Sequence, residues 1–187
     1  MPRNSFFPVI VDVGANMGDF TLAMTNLAGK IVAVEPAEEN FLALSANLQI
    51  NHANNVIPIR AAAHDREEEV FLQGKSSNMY VVQGKKGQSV KGIPLDLIIR
   101  GLGIQSVDIM KIDVQGHERA VLSGIRGLLE GKFVKLLIVE VHLKRSATVS
   151  DIVSLMKDYG YHLIHKDAYF STQPHLYFAS TQFRSKK

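Results

Sequence analysis

Val9-Ile-Val-Asp12-Val-Gly14-Ala15-Asn16-Met-Gly18-Asp-Phe20-Thr21 is an apolar run that breaks into a glycine-bearing turn and resumes at helical spacing. Val9, Ile10, Val11 and Val13 favour a strand and lack clean polar alternation, as expected of a strand buried on both faces of a parallel sheet. After the turn, Phe20, Leu22, Ala23, Leu27 and Ala28 fall on one helical stripe, with Gly29 as the expected stop. A strand, a tight turn and a helix in this order bring backbone close to a ligand, because glycine tolerates positive φ and presents no Cβ. The first helical N–H groups face the same space.

The spacing restricts the ligand. A dinucleotide fingerprint wants glycine at the positions of Gly14, Asn16 and Asp19, and only the first is glycine. No Walker-type Gly-Lys-Ser/Thr follows, so a phosphate cradle is poorly supported. The pattern that fits is acid-x-Gly-x-(Gly/Asn)-x-Gly, filled by Asp12, Gly14, Asn16 and Gly18, and it resembles motif I of the class I S-adenosylmethionine methyltransferases. Downstream, Lys30-Ile-Val-Ala-Val34-Glu35-Pro36 is a short apolar strand ending in a carboxylate, placed to accept the ribose hydroxyls of an adenosine.

Outward from this stretch the chain alternates strand and helix with short connections, the signature of a sheet covered on both faces. Strands are expected over 8–13, 31–35, 56–59, 107–113 and 134–142, with helices from the glycine turn to about Ala28, over 37–49, 118–130 and 149–159, and a short one over 94–100. Tyr161 to His165 and His175 to Ser180 read as an antiparallel pair, which makes seven strands with a terminal hairpin. Between Arg66 and Gly92 the helical period disappears. Glu69–Leu72 and Met79–Val82 read there as an inserted hairpin, with turn-rich stretches around Gly74-Lys-Ser-Ser-Asn and Gln83-Gly-Lys-Lys-Gly-Gln.

The 187 residues, 46% of them hydrophobic, suit one domain over 1–187 with a sizeable core. The net charge of +3 comes from 21 basic against 18 acidic residues. The basic tail Arg184-Ser-Lys186-Lys187 reads as solvated rather than as a nucleic-acid arm. With no cysteine, disulfides, zinc–thiolate sites and thiol nucleophiles are excluded. No apolar run approaches membrane-spanning length and the first residues are too short for a signal peptide, so a cytoplasmic location is expected.

A second stretch carries chemistry: Asp108-Ile-Met-Lys111-Ile-Asp113-Val-Gln115-Gly116-His117-Glu118. Asp113 ends a strand expected beside the first one, so it should face the crevice of Gly14 and Glu35. Glu118 is either a first-turn acid favoured by the helix dipole or a functional carboxylate. Glu140 and His142, two residues apart, share one side of the fifth strand, facing either substrate or a structural partner. Asp113, Glu118, Glu140 and His142 together have donor types a cation accepts, but no metal is assigned. His64 shows no spacing that suggests metal or proton transfer.

Val11–Thr21, Val32–Pro36, Ile93–Ile99, Asp108–Glu118 and Leu137–His142 together resemble the FkbM-type methyltransferases, with Lys-Ile-Asp-Val-x-Gly-x-Glu as the narrowing feature. The resemblance implies a Rossmann-like α/β fold, S-adenosylmethionine as methyl donor, and a hydroxyl acceptor on a sugar, lipid or secondary metabolite. By position it places cofactor contacts on Asp12, Gly14, Ala15, Asn16, Gly18, Glu35 and Pro36, an adenine-edge contact around Ala63 and Asp65, and a site carboxylate on Asp113. Asp113 and His142 are the candidate bases, with His117 a weaker one. Gln115 stands where the family often has an acid, which argues against metal. Few residues precede the first strand, so the expected N-terminal cover leaves three options: an open pocket, a lid from a second subunit, or a cofactor-binding module without turnover. Nucleic acid is not favoured as acceptor: there is no aromatic-plus-basic platform, no cysteine for pyrimidine attack, and no Asn/Asp-Pro-Pro-aromatic loop.

Overall fold

The computed structural model describes residues 6–75, 78–82, 84–143, 148–167 and 173–181. The basic tail and parts of the two turn-rich stretches (Ser76, Ser77 and Gln83) lie outside the described residues.

The apolar runs form the strands expected of them: β1 (Phe7–Val13), β2 (Ala28–Val34), β3 (Val56–Ile59), and, numbered in chain order after the four strands of a second sheet, β8 (Val107–Ile112), β9 (Val134–Glu140), β10 (Tyr161–Asp167) and β11 (His175–Ser180). They make a seven-stranded sheet in the order β10-β11-β9-β8-β1-β2-β3. It is parallel except for β11, which pairs antiparallel with both β9 and β10. Two-residue periodicity splits each central strand between two cores. Val11, Val13, Val32, Val34, Met110 and Ile112 pack on the side of α3 (Leu95–Gly101), α4 (Glu118–Gly124), α5 (Arg126–Glu130) and α6 (Val149–Asp158). Ile10, Ile31 and Ala33 face α1 (Asp19–Met24) and α2 (Glu38–Ile50). The chain runs outward from β1 to β2 and β3 on one side, and later from β8 to β9 on the other. The switch point therefore lies between β1 and β8, and the crevice off their carboxyl ends is where ligands bind in such sheets.

Three expectations are corrected. The first helix ends at Met24 rather than near Ala28, passing through a 3₁₀ turn, Thr25–Leu27, into β2. Asn55 Nδ2 donates to the carbonyls of Thr25 and Ala28 (2.9 and 2.8 Å) and satisfies groups that another helical turn would have used. The helix expected over 118–130 breaks at Ile125 (φ −115°, ψ 15°) into α4 and α5. Just before the break, Gly124 abuts the His64 carbonyl, which an added Cβ would approach to 1.9 Å. The third concerns 62–93. The expected hairpin is present as β5 (Glu68–Gln73) and β6 (Tyr80–Val82), but β4 (Ala62–Ala63) and β7 (Gln88–Ile93) join it in a four-stranded sheet ordered β4-β7-β5-β6. In β7 the buried Val90 and Gly92 alternate with outward Ser89 and Lys91. No helix among the described residues is long and apolar enough to cross a membrane.

Candidate active site

A cleft of about 240 Å³ opens at the switch point. Its floor is the turn after β1. Gly14 has φ +78°, and an added Cβ would lie 1.8 Å from the Asp113 carbonyl oxygen, so only glycine lets this turn meet the loop after β8. The Gly14 and Ala15 N–H groups both donate to the Val34 carbonyl (2.9 and 3.0 Å), tying the turn to the end of β2. Asn16, at φ 52°, donates its N–H to Glu35 Oε2 at 2.9 Å.

Glu35 is buried, and its other oxygen, Oε1, accepts from the Ala37 N–H (3.0 Å) and from Asn40 Nδ2 (3.3 Å). Burial pushes its carboxyl above the usual range against these three donors, which pull the other way. A carboxylate has about four acceptor sites. Three being taken, Oε2 keeps one for an incoming hydroxyl, and Asn16 Oδ1 is buried with no hydrogen-bond partner among the described residues.

Across the cleft, Asp113 and Glu140 lie among the lining residues and His142 sits buried behind them. His142 Nδ1 is 2.7 Å from Oε1 of the fully buried Glu118, which also accepts from the Gly116 N–H at 2.9 Å. His142 Nε2 is 3.7 Å from Asp113 Oδ1 and 3.6 Å from Glu140 Oε1, beyond hydrogen-bond length, and has no hydrogen-bond partner among the described residues. Burial alone would lower the pKa of His142, but the Glu118 hydrogen bond and the surrounding carboxylates outweigh it, and the net shift is upward. Glu140 is raised as well, by burial first and then by the Asp113 charge.

Of the residues singled out from sequence, Gly14, Asn16, Glu35, Pro36, Ala63, Asp113, His117 and Glu140 line the cleft. Asp12, Ala15, Gly18 and Asp65 do not. Asp12 is fully buried beneath the turn, accepting from Thr21 Oγ1 at 2.6 Å and lying 3.5 Å from Lys111 Nζ. Gly18 starts α1 at φ +103° against Leu44, and buried Ala15 packs with Leu44 and Leu48. Asp65 turns toward His64 and Arg66. His142 reaches the cleft only through Asp113 and Glu140.

Sequence reasoning missed Lys111, whose ammonium sits 3.5 Å from Asp12 and 3.4 Å from Asp113. It lies in an apolar strand, so only the β1–β8 register, which sets Asp12 opposite Lys111, reveals the pairing. It also missed the contribution of the second sheet: Leu72 of β5, Tyr80 and Val81 of β6, and the adjoining Met79 line the cleft as well. Asp113, Glu140 and His142 offer donor atoms within 4.8 Å of one another, and Lys111 already brings a positive charge to that corner.

Known proteins share this fold. A crystal structure of methyltransferase FkbM from Methylobacillus flagellatus superposes with a TM-score of 0.68 at 20% identity, over 94% of this chain and 44% of that one. Fibrillarin from Aeropyrum pernix, solved with natively bound S-adenosylmethionine, gives a TM-score of 0.62 at 15% identity, over 96% and 69%. In sequence, the hexuronic acid methyltransferase AglP of Haloferax volcanii is 26% identical over 137 residues, covering 72% of this chain and 56% of AglP. The chain thus spans about half the length of the AglP and FkbM relatives. The family model for the methyltransferase FkbM domain matches residues 12–163, and the chain belongs to that family of S-adenosylmethionine-dependent methyltransferases.

Proposed function

We propose that this chain methylates a hydroxyl oxygen of a sugar-like or other small polyol acceptor, with S-adenosylmethionine as donor. The observation that carries the hydroxyl assignment is the Glu118–His142 pair, whose outer nitrogen has no hydrogen-bond partner among the described residues and lies near Asp113 and Glu140. The hexuronic acid activity of AglP supports the acceptor class.

The cleft suits the adenosyl group. Ala61, Ala62 and Ala63 leave room for a flat ring, Glu35 Oε2 has an acceptor site left for a ribose hydroxyl, and the orphaned Asn16 Oδ1 is a further polar contact. S-adenosylmethionine supplies a methyl carbon already activated by its sulfonium charge. What remains for the protein is alignment, exclusion of water and handling of the acceptor proton. Asp113 and Glu140 hold the acceptor hydroxyls. Glu118 fixes the Nδ1–H tautomer of His142 and leaves Nε2 as the lone pair that takes the proton, directly or through a water. The neighbouring carboxylates stabilise the imidazolium that forms.

The first experiment is calorimetric titration with S-adenosylmethionine, S-adenosylhomocysteine and NADH, for the wild type and Glu35→Ala. Micromolar binding of the adenosyl ligands, lost in the variant and absent for NADH, is expected. An assay on uronic acids and neutral sugars follows, in which His142→Ala keeps cofactor affinity and loses turnover by about 100-fold or more. Absence of adenosyl binding by the wild type would refute the cofactor assignment, and unchanged turnover in His142→Ala would refute the base.

A further inference from the structure

Glu68, His64 and His117 form a hydrogen-bonded chain that ends in the cleft. His64 Nε2 is 2.6 Å from Glu68 Oε1 and 3.3 Å from Asp65 Oδ1, and His64 Nδ1 is 2.8 Å from His117 Nε2. The two rings lie edge to edge, with centroids 4.9 Å apart and planes 22° from parallel; the short nitrogen–nitrogen contact plus two ring radii accounts for the separation. Both nitrogens of the buried His64 are therefore engaged, which leaves His64, Asp65 and Glu68 without the imidazole lone pair that a metal would need.

The chain has a direction. Ionised carboxylates only accept, so His64 Nε2 carries a hydrogen, and in the neutral ring Nδ1 is then the acceptor. With His64 neutral, His117 Nε2 is the donor to it. That fixes His117 in the Nε2–H tautomer and leaves its Nδ1 as a lone pair with no hydrogen-bond partner among the described residues. His117 lines the cleft together with the three alanines, Ala61, Ala62 and Ala63. Burial, the largest cause, pushes its pKa down to about 4, so near neutral pH it is an uncharged acceptor and a poor base.

From this arrangement we propose that His117 Nδ1 accepts the exocyclic amine of the cofactor's adenine, and that Glu68 and His64 act as positioning residues that set its tautomer. The proposal rests on the adenosyl reading of the cleft. It makes the site selective against the inosyl analogue, in which a carbonyl oxygen replaces the amine and would meet the His117 lone pair with another lone pair. A pocket built to pair a donor rejects an analogue that lacks it, because its own polar group is left unpaired.

Two measurements test the assignment. Calorimetry with S-adenosylhomocysteine and S-inosylhomocysteine should show the wild type favouring the adenosyl ligand by about 10- to 100-fold, the range of one lost buried hydrogen bond. His117→Ala should bring the two ligands within about threefold of each other, and Glu68→Gln should narrow the gap without closing it. Nitrogen-15 NMR of the unliganded wild type should show His117 protonated at Nε2 and bare at Nδ1, a readout that needs no variant to fold. Discrimination that survives His117→Ala, or an Nδ1–H tautomer in the wild type, would overturn the proposal. Failure of the wild type to bind S-adenosylhomocysteine would instead overturn the cofactor reading, and this proposal with it.

Discussion

Replacing Lys111 by Met should destabilise the protein strongly, and a second substitution should undo most of the damage. The ammonium lies 3.5 Å from Asp12 Oδ1 and 3.4 Å from Asp113 Oδ2, and Asp12 is fully buried. At an effective dielectric of about 20, each contact has a gross attraction of roughly 5 kcal/mol, much of it offset by desolvation. Burial lowers the pKa of Lys111, yet the two carboxylates outweigh burial and leave it raised, so the ammonium form persists. Lys111→Met strands a buried carboxylate, a change that costs about 3–5 kcal/mol when one partner of a buried pair is removed. Asp113 is 23% exposed and contributes less than Asp12. Lys111→Met with Asp12→Asn removes both charges and should recover to within about 1 kcal/mol of the wild type. Burial already raises the pKa of Asp12, and without the lysine it rises further. A folded-state carboxyl pKa above the unfolded one means that the folded state holds the extra proton, so stability falls as pH rises between the two values. The deficit of the single variant should therefore grow from pH 5 to pH 8. Urea denaturation of the three proteins across that range is the assay. A deficit below about 1 kcal/mol, or a double variant no more stable than the single, would refute the reasoning.

Gly14→Ala should cost about 4 kcal/mol or more, since its Cβ would meet the Asp113 carbonyl at 1.8 Å, whereas Gly84→Ala, at φ +93° with nothing within 4 Å, should cost only about 1 kcal/mol; thermal melts of both compare steric clash with backbone strain alone. Because the pKa of His142 is raised above 6.5, the acid limb of kcat/KM should lie above that value, and Glu118→Gln should move it lower. The same shift has a stability consequence: the contribution of the Glu118–His142 pair is complete below the unfolded histidine pKa and is lost as pH rises through the folded one, a loss that pH-dependent denaturation of Glu118→Gln against the wild type would reveal. Tyr161→Phe removes a buried hydrogen bond of 2.7 Å to the Val134 carbonyl and should destabilise by about 1 kcal/mol in the same denaturation assay.

The main sheet was legible because its central strands are buried on both faces, which makes Val9–Val13, Ile31–Val34 and Val107–Ile112 near-continuous apolar runs. The second sheet was only half legible. β4 has two residues, too few for any period, and one of the two buried positions of β7 is Gly92, which leaves Val90 as its single buried apolar side chain. The cleft-facing residues followed from where strands end. The roles of Asp12, His64 and His117 did not, because they depend on pairings between distant segments: His64 and His117 are 53 residues apart, and Asp12 meets Lys111 through strand register. An acid in a glycine motif looks like a ligand contact in sequence; here it is a buried counterion under the turn that makes the contact.

That division of labour leaves the floor of the cleft tied together by backbone N–H groups. Gly14 allows the turn after β1 to touch the Asp113 carbonyl, the Gly14 and Ala15 N–H groups grip the end of β2, and the Asn16 N–H grips Glu35. Beneath them, Asp12 and Lys111 lock β1 to β8 at the level where both strands end. The loops that carry Asn16, Glu35 and Asp113 are thus held by one another before any ligand arrives. A site preorganised in this way loses less entropy on binding, since its polar groups are already in place. Weakening the Asp12–Lys111 pair should therefore reduce ligand affinity even though neither side chain lines the cleft. Comparing S-adenosylhomocysteine affinity of the wild type and the charge-free double variant isolates this effect: both proteins are expected to be folded, and equal affinities would show that the loops hold their geometry without the ion pair beneath them.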